Sequence, residues 1–351
     1  MNIGRFEIIV MLFVLSAMGL GLYLRTSTSP ALSNVTTKPP AEEHKTEHPT
    51  FVLPVDETQP LHIGILGESG DGEHGEAFNT AIVKQLLKGL QKQHVEAVFE
   101  TGNLVSGLAN KVSDKTSTSS NRAFQQQLVA FSEMYKAVLR DKVPFFPVMG
   151  DHELAVPNGE IIFREHFHLK NGVRFDEHGF GYTVVIGKAF FVVLANTDKA
   201  KAQAGQLFNP EILEWLQNVL RDGASSYEYL FVVGHAPIFP HTTTLTDHQA
   251  QARDAFWKIL IDNKVVAYFS SHEHAFDRSQ RHGVWQVISG GGGAPLREGG
   301  RSKSFYHCLL LTIPATKQTP PFIEVLDIEG EVVDRFELIP MNSLIYQRHV
   351  S

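Results

Sequence analysis

From residue 61 onward, short apolar runs alternate with longer amphipathic segments. Residues 62–67 form a near-continuous apolar run that ends at glycine, which predicts a buried strand. An apolar stripe at helical spacing over residues 76–93 predicts a helix, and residues 97–99 read as the next strand. The same criteria predict helices over 123–139, 211–220 and 252–261, and strands over 143–149, 182–186, 190–195, 229–233, 265–269, 284–288 and 307–313.

This alternation indicates an α/β fold in which helices cover buried sheets. No internal repeat and no clear linker divides residues 61–340. We therefore predict one domain over residues 61–340, followed by a C-terminal tail over residues 341–351.

The N-terminal region has a different pattern. Residues Ile8–Leu24 form an apolar run of 17 residues, a length between that of a long signal-peptide core and a short membrane-spanning helix. We predict an uncut membrane anchor within residues 1–25; a cleavable signal with a cut near Ala31–Ser33 is the alternative. Either reading places the domain on the exported side of a membrane, which is periplasmic, extracellular or lumenal, and cleavage would make the protein secreted.

Residues 26–60 hold six of the chain's 17 prolines among Ser, Thr, Glu and Lys residues. Such a segment buries too little apolar surface to offset the entropy of ordering it. It is therefore predicted to be a flexible tether between the N-terminal segment and the domain.

Composition narrows the classes of function. Hydrophobic residues make up 43% and charged residues 20% of the 351 residues, a balance typical of globular proteins. The formal net charge of −7 argues against a dedicated nucleic-acid binder, which usually has a basic face. The single cysteine, Cys308, excludes an intrachain disulfide and any site built from several cysteines. The 17 histidines are the unusual feature.

Several of these histidines lie in five short motifs, and each motif begins where a predicted apolar strand ends. Carboxyl ends of strands are where layered α/β folds build their sites, and the motifs carry the carboxylate, amide and imidazole groups that bind metals. Taken singly, Asp151 could be a helix N-cap and His235 a hydrogen-bonded turn residue. The five together indicate a metal site; they are GESGD (67–71), TGN (101–103), GDHE (150–153), GHAP (234–237) and SHEH (271–274).

The order of these motifs resembles the calcineurin-like metallophosphoesterase superfamily. The phrases GHAPIF (234–239), SHEHAFDR (271–278) and VISGGGGAPL (287–296) are most similar to its purple acid phosphatase-like branch. The resemblance spans about residues 61–313. It implies a four-layer αββα fold, a β sandwich flanked by helices, with two metal ions at the strand ends. It also implies hydrolysis of phosphate mono- or diesters of a small substrate by metal-activated water, with iron, zinc or manganese as the metal.

The resemblance implies roles for seven residues. Glu68 and His274 would bind the first metal, and Asn103 stands at the position of the bridging aspartate. Asp151, His235 and His272 would bind the second metal. The remaining residue, His152, would act as the catalytic acid or charge stabiliser.

Several of these positions depart from the family pattern. Glu68 and Asn103 stand where the family has aspartate, Gly70 offers no ligand where many members have histidine, and Ser106 replaces a tyrosine of the purple branch. A neutral amide cannot offset the repulsion between two close cations. Asp151 supplies a carboxylate where the family has asparagine, which moves the negative charge to the second metal. We therefore predict a centre with one metal, or with two of which the first is labile.

Two functions follow. The first is a membrane-tethered, exported metal-dependent phosphoesterase, favoured by the retained histidines His152, His235, His272 and His274. The second is a catalytically silent relative that binds a phosphorylated ligand, a metal or a protein partner, favoured by the lost bridging carboxylate. Family resemblance predicts a fold better than it predicts a reaction, so both readings stay open at this point.

Overall fold

A computed structural model of the chain describes residues 49–71, 76–107, 117–172, 174–176, 179, 181–195, 210–240, 247–297 and 303–339. The strands are β1 (Thr50–Leu53), β2 (Leu61–Leu66), β3 (Ala97–Glu100), β4 (Phe145–Pro147), β5 (Gly181–Ile186), β6 (Ala189–Leu194), β7 (Tyr229–Val233), β8 (Ala267–Ser270), β9 (Phe276–Arg281), β10 (Val284–Ser289), β11 (His307–Ile313), β12 (Phe322–Asp327) and β13 (Val332–Glu337). The helices are α1 (Thr80–Lys92), α2 (Ser117–Leu139), α3 (Asp151–Leu154), α4 (Gly159–Asn171), α5 (Pro210–Ala224) and α6 (Asp247–Asp262).

The strands form two mixed sheets. The six-stranded sheet has the order β13-β12-β11-β2-β3-β4, with β2, β3 and β4 parallel to one another and the other neighbours antiparallel. The seven-stranded sheet has the order β1-β5-β6-β7-β8-β10-β9, and its central strands β6, β7, β8 and β10 are parallel. In both sheets, therefore, several consecutive parallel strands end at the same edge.

The two sheets pack face to face through a shared apolar core. Phe99 of one sheet stacks on Phe191 of the other at 4.6 Å between ring centroids, and Phe191 stacks on Phe231 at 5.0 Å. Helices α1, α2 and α4 cover the outer face of the six-stranded sheet, and α5 and α6 cover that of the seven-stranded sheet. The predicted αββα layering is confirmed.

Helix α1 shows how the local sequence sets these layers. The side chain of Asn79 accepts a hydrogen bond from the Ile82 N–H at 3.3 Å and caps the helix, as Asn does at N-terminal ends. Val83, Leu86, Leu87 and Leu90 recur at helical spacing and are fully buried against the sheet.

The structure corrects the predicted boundary of the tether. Residues Thr50–Leu53, placed in the tether by their proline-rich surroundings, form β1, which pairs in parallel with β5. Phe51 packs edge-on against Phe146 at 5.1 Å, so an apolar anchor on the core holds this edge strand in place. Helix α4 and strands β9, β12 and β13 are also additions to the predicted elements.

The predicted anchor within residues 1–25, most of the tether, and the C-terminal tail over residues 341–351 lie outside the described residues. Within the described ranges, no helix combines the length and apolarity needed to cross a bilayer.

Candidate metal centre

The predicted site residues come together at the strand ends of both sheets. Glu68, Asn103 and Asp151 follow the parallel strands β2, β3 and β4 of the six-stranded sheet. The three histidines follow the parallel strands β7 and β8 of the seven-stranded sheet; they are His235, His272 and His274. The backbone joins these ends directly, since the Glu68 N–H donates to the Gly102 carbonyl at 3.1 Å and the Ser271 N–H donates to the His235 carbonyl at 2.9 Å.

The turns that carry the site are tight. Glu68, Asn103 and His272 adopt left-handed backbone conformations, with φ values of 63°, 55° and 61°. Such a conformation costs a non-glycine residue about 1 kcal/mol or more. Gly102 beside them has φ 99°, and a Cβ there would lie 2.6 Å from Nδ1 of His235. Strained left-handed turns therefore bring these side chains together.

Asp151, His235 and His272 present three ligand atoms to one point. The Asp151 Oδ1 lies 3.0 Å from the His235 Nε2 and 3.4 Å from the His272 Nδ1, and the two ring nitrogens are 3.1 Å apart. The His235 ring is fully buried and its Nδ1 lies 2.9 Å from the Thr101 carbonyl, which must accept a proton from it. This contact fixes the tautomer and directs Nε2 at the other two residues.

Glu68 is fully buried beside this group and accepts several hydrogen bonds. Its Oε1 accepts from the His272 backbone N–H at 2.8 Å and from the Ser271 hydroxyl at 3.3 Å. Its Oε2 lies 3.1 Å from the Asn103 Nδ2 and 3.3 Å from the His274 Nε2. The opposite nitrogen, His274 Nδ1, donates to the Pro295 carbonyl at 2.7 Å, so Nε2 faces Glu68. Burial would lower the pKa of His274, but the contact with Glu68 raises it, and the charged ring donates from both nitrogens.

Asn103 lies between the two halves of the site and is almost fully buried. Its amide nitrogen donates to Asp151 Oδ1 at 3.0 Å and to Glu68 Oε2 at 3.1 Å. Its amide oxygen accepts the His152 backbone N–H at 3.0 Å. The amide nitrogen thus faces the two carboxylates and the amide oxygen faces the backbone of α3; the metal-ligand role of Asn103 stays a prediction.

His152, the predicted catalytic acid, is at the start of α3 on the rim of the site. Its side chain is 27% exposed, and its Nε2 lies 3.6 Å from Oδ2 of Asp71. Asp71 therefore contacts His152 rather than the first-metal half. Gly70 offers that half no side chain either, because a Cβ there would lie 2.8 Å from the backbone of Val105.

Two buried carboxyl groups were missed from the sequence. Glu153 accepts the backbone N–H groups of Gly150 at 2.7 Å, Asn103 at 3.1 Å and Val105 at 3.3 Å. It thereby ties together the two loops that carry Asn103 and Asp151. Glu100, at the end of β3, accepts the Ser69 hydroxyl at 2.8 Å. For Glu100 the visible signal was an acidic residue at the end of an apolar strand, and for Glu153 it was membership of the GDHE motif (150–153).

Charge is concentrated in the site. Burial alone would raise the pKa of Glu68, but the hydrogen bond from His274 and the nearby imidazoles lower it to about 2. Burial would lower the pKa of His235, but the Asp151 hydrogen bond and the two carboxylates raise it to about 9. Asp151 has a lowered pKa, because the bonds to His235 and His272 outweigh its burial. The carboxylates and imidazoles therefore stabilise one another's charged forms.

The donor set of Asp151, His235 and His272 fits a cation. Separations of 3.0–3.4 Å are those expected between neighbouring ligand atoms of an ion that binds nitrogen and oxygen at about 2.1 Å. Glu68, His235 and His272 also offer atoms within 4.8 Å of one another. Imidazole with carboxylate suits zinc, iron or manganese, so the residues fit the metals expected from the motifs.

Comparisons with solved structures agree with this fold. Purple acid phosphatase PPD1 from yellow lupin (Lupinus luteus) superimposes with a TM-score of 0.62 at 15% identity, covering 81% of this chain and 54% of the other. A dimetal phosphatase from Danio rerio gives a TM-score of 0.56 at 12% identity, covering 80% and 99%. GAP50, described as the anchor in the inner membrane complex of Plasmodium, gives 0.53 at 16% identity, covering 84% and 95%. The chain spans about half the length of the lupin phosphatase.

No curated protein matches the sequence. The model of the calcineurin-like phosphoesterase family matches residues 61–276, the segment that carries all five motifs. This match covers more than half of the chain and confirms the resemblance inferred from the motifs. The chain therefore belongs to the calcineurin-like phosphoesterase family.

Proposed function

We propose that the chain is a metal-dependent phosphoesterase that hydrolyses a phosphate mono- or diester of a small substrate, with Asp151, His235 and His272 holding the catalytic cation. The observation that carries this proposal is the convergence of three ligand atoms from three strand ends, at 3.0–3.4 Å from one another. A cation bound there would polarise the phosphoryl oxygen and lower the pKa of water near the phosphorus.

The chain's own residues would prepare this site in two ways. Thr101 accepts the His235 Nδ1 proton and leaves Nε2 available as a ligand atom. The exposed part of the His152 ring can reach a substrate at the rim, where it would donate a proton to the leaving alcohol. His152 is thus the group whose removal should affect the reaction most without touching the donor set.

The experiment uses the full-length protein, stripped of metal with a chelator and reloaded with zinc, manganese or iron. Hydrolysis of p-nitrophenyl phosphate and bis-p-nitrophenyl phosphate is followed by absorbance. We expect turnover that depends on the added metal, and a fall of about 10²–10⁴-fold in kcat for His152→Ala with metal content unchanged. His282→Asn is the matched control, because His282 is exposed in the β9–β10 turn with φ 53°, a conformation that Asn tolerates. Absence of hydrolysis in every metal-loaded sample would overturn the proposal.

A second function has one observation in its favour. The Asn103 amide nitrogen stands at the bridging position, and the structurally similar GAP50 is described as an anchor rather than as a phosphatase. A catalytically silent protein that binds a phosphorylated ligand or a protein partner would fit both facts. It predicts that phosphate raises the melting temperature of the metal-loaded protein while no ester is hydrolysed.

Membrane tethering and export belong to the same proposal and rest on the apolar run Ile8–Leu24 and the proline-rich segment after it. Cells expressing the full-length chain test both points. We expect the protein to stay with membranes in alkaline carbonate, and external protease to reach the domain in intact cells or vesicles. Release of an intact chain by carbonate, or of a chain lacking residues 1–25, would contradict the uncut anchor.

A further inference from the structure

We infer that the chain closes the first-metal position with its own hydrogen bonds, so that the centre holds a single cation at Asp151, His235 and His272. The inference shares that donor set with the proposed function. It concerns the number of metal ions and is independent of whether the bound ion supports hydrolysis.

The orientation of the Asn103 amide is the first reason. Its three partners agree on one orientation, because the oxygen meets the N–H of His152 and the nitrogen meets the carboxylates of Glu68 and Asp151. In the reversed orientation, the amide N–H₂ would face the His152 backbone N–H, so that two donors would meet. The amide oxygen would then face the carboxylates of Glu68 and Asp151. An amide N–H₂ group has two donors and no free electron pair for a cation. The side chain between the two metal positions therefore cannot bridge them.

The contacts of Glu68 are the second reason. Its Oε1 accepts the His272 backbone N–H at 2.8 Å, and its Oε2 lies 3.1 Å from the Asn103 Nδ2 and 3.3 Å from the His274 Nε2, so both oxygens already face polar partners. The residue is fully buried, so displaced donors would find no water to replace the lost bond. Binding a cation at Glu68 Oε2, the oxygen that faces His274, would have to displace both the Asn103 amide and the His274 ring.

The small number of remaining ligands is the third reason. Asp71 contacts His152, and a side chain at position 70 would collide with the backbone of Val105. In the described part of the chain, the first position is left with Glu68 and His274, which bind each other at 3.3 Å. The second position keeps three converging side chains. The two positions therefore differ in the number of side chains whose ligand atoms converge on one point.

The test counts metal ions. Full-length wild-type protein, Asn103→Asp and Asn158→Asp are stripped with a chelator, equilibrated with excess manganese and desalted, and manganese per chain is measured by elemental analysis. Asn158→Asp is the matched control, because Asn158 is exposed and has φ 57°, against 55° for Asn103. We expect one ion in the wild type and the control, and two in Asn103→Asp, where a carboxylate oxygen replaces the amide nitrogen. Circular dichroism shows that each variant is folded.

Electron paramagnetic resonance of the manganese-loaded wild type gives a second readout that needs no variant. One isolated ion predicts the six-line spectrum of uncoupled manganese, whereas a pair of ions predicts a spin-coupled spectrum. Two ions in the wild type, or a coupled spectrum, would overturn the inference. One ion in folded Asn103→Asp would overturn the role given to Asn103, and no ion in the wild type would overturn this inference together with the proposed donor set. One ion without hydrolysis would uphold the inference and remove only the proposed activity.

Discussion

Removing the carboxylate of Glu153 should loosen the site loops without removing a predicted ligand. Its two oxygens accept three backbone N–H groups, from Gly150, Asn103 and Val105, and all of them are buried. Each N–H left without an acceptor costs about 1–3 kcal/mol, so Glu153→Ala should lose at least about 3 kcal/mol of unfolding free energy.

Glu153→Gln separates hydrogen bonding from volume. The amide keeps one acceptor oxygen, which can serve Gly150 and Asn103, and presents its N–H₂ to the Val105 N–H, the longest of the three contacts at 3.3 Å. We therefore expect a loss of about 1–3 kcal/mol, from one orphaned donor. Urea unfolding of metal-free protein, followed by fluorescence and circular dichroism, measures both variants.

Glu160→Gln is the matched control, because Glu160 is an exposed glutamate that accepts a bond from Arg164 one turn along α4. Its loss should not exceed about 0.5 kcal/mol. If Glu153→Gln were as stable as this control, the three N–H contacts would not hold the loops and the reasoning would be refuted. The rise in melting temperature on adding metal should also be smaller in Glu153→Ala than in the wild type, because Asn103 and Asp151 lie on the loops that Glu153 joins.

Three further predictions concern stability and its dependence on pH. Asn79→Ala removes the cap of α1 and the bond to the Gly293 carbonyl, and should cost about 1–2 kcal/mol in urea unfolding; a change below about 0.3 kcal/mol would refute the capping role. Tyr182→Phe deletes the buried hydroxyl that donates to the Pro147 carbonyl at 2.9 Å, and should cost about 1–2 kcal/mol by the same measurement, with an unchanged midpoint counting against it. Burial raises the pKa of Glu100 well above 4.5, so the folded chain keeps a proton that the unfolded chain loses, and wild-type stability should fall as pH rises from 4.5 toward the raised value. Glu100→Gln should remove the pH dependence that comes from this group. In urea unfolding of metal-free protein at several pH values, the unfolding free energy of the variant should therefore rise relative to that of the wild type as pH rises. Parallel pH profiles for the two proteins would contradict the assignment.

The sequence predicts the layers and the site edge well, because buried strands appear as apolar runs and the motifs directly follow them. Strand β7 and strand β11 coincide with their predicted ranges. Strands β12 and β13 were not predicted, because outward-facing charged residues interrupt their apolar positions, as in VVDRFE of β13. Strand β1 was not predicted, because four residues beside prolines are too few to show a strand periodicity. Its extended conformation depends on pairing with β5.

Within the site, the sequence identified which side chains meet but not how they are oriented. The direction of the Asn103 amide depends on where the His152 N–H lies, and that position is set by the turn into α3. The role of Glu153 depends on three backbone N–H groups from two loops, so the residue types in the sequence do not indicate it. Such contacts follow from the path of the backbone, which local periodicity does not encode.

The left-handed conformation at position 103 has a consequence for how this site can change over evolutionary time. Asn and Asp both tolerate that conformation better than most residues, so exchanging one for the other leaves the turn after β3 intact. An exchange here alters the charge and the ligand atom while the turn keeps its conformation. Without a metal, an aspartate would place a third carboxylate beside Glu68 and Asp151, so the exchange makes the stability of the site depend on bound cations. Related chains with nearly superimposable backbones can accordingly differ in metal count, and shared ancestry is a poor guide to that number.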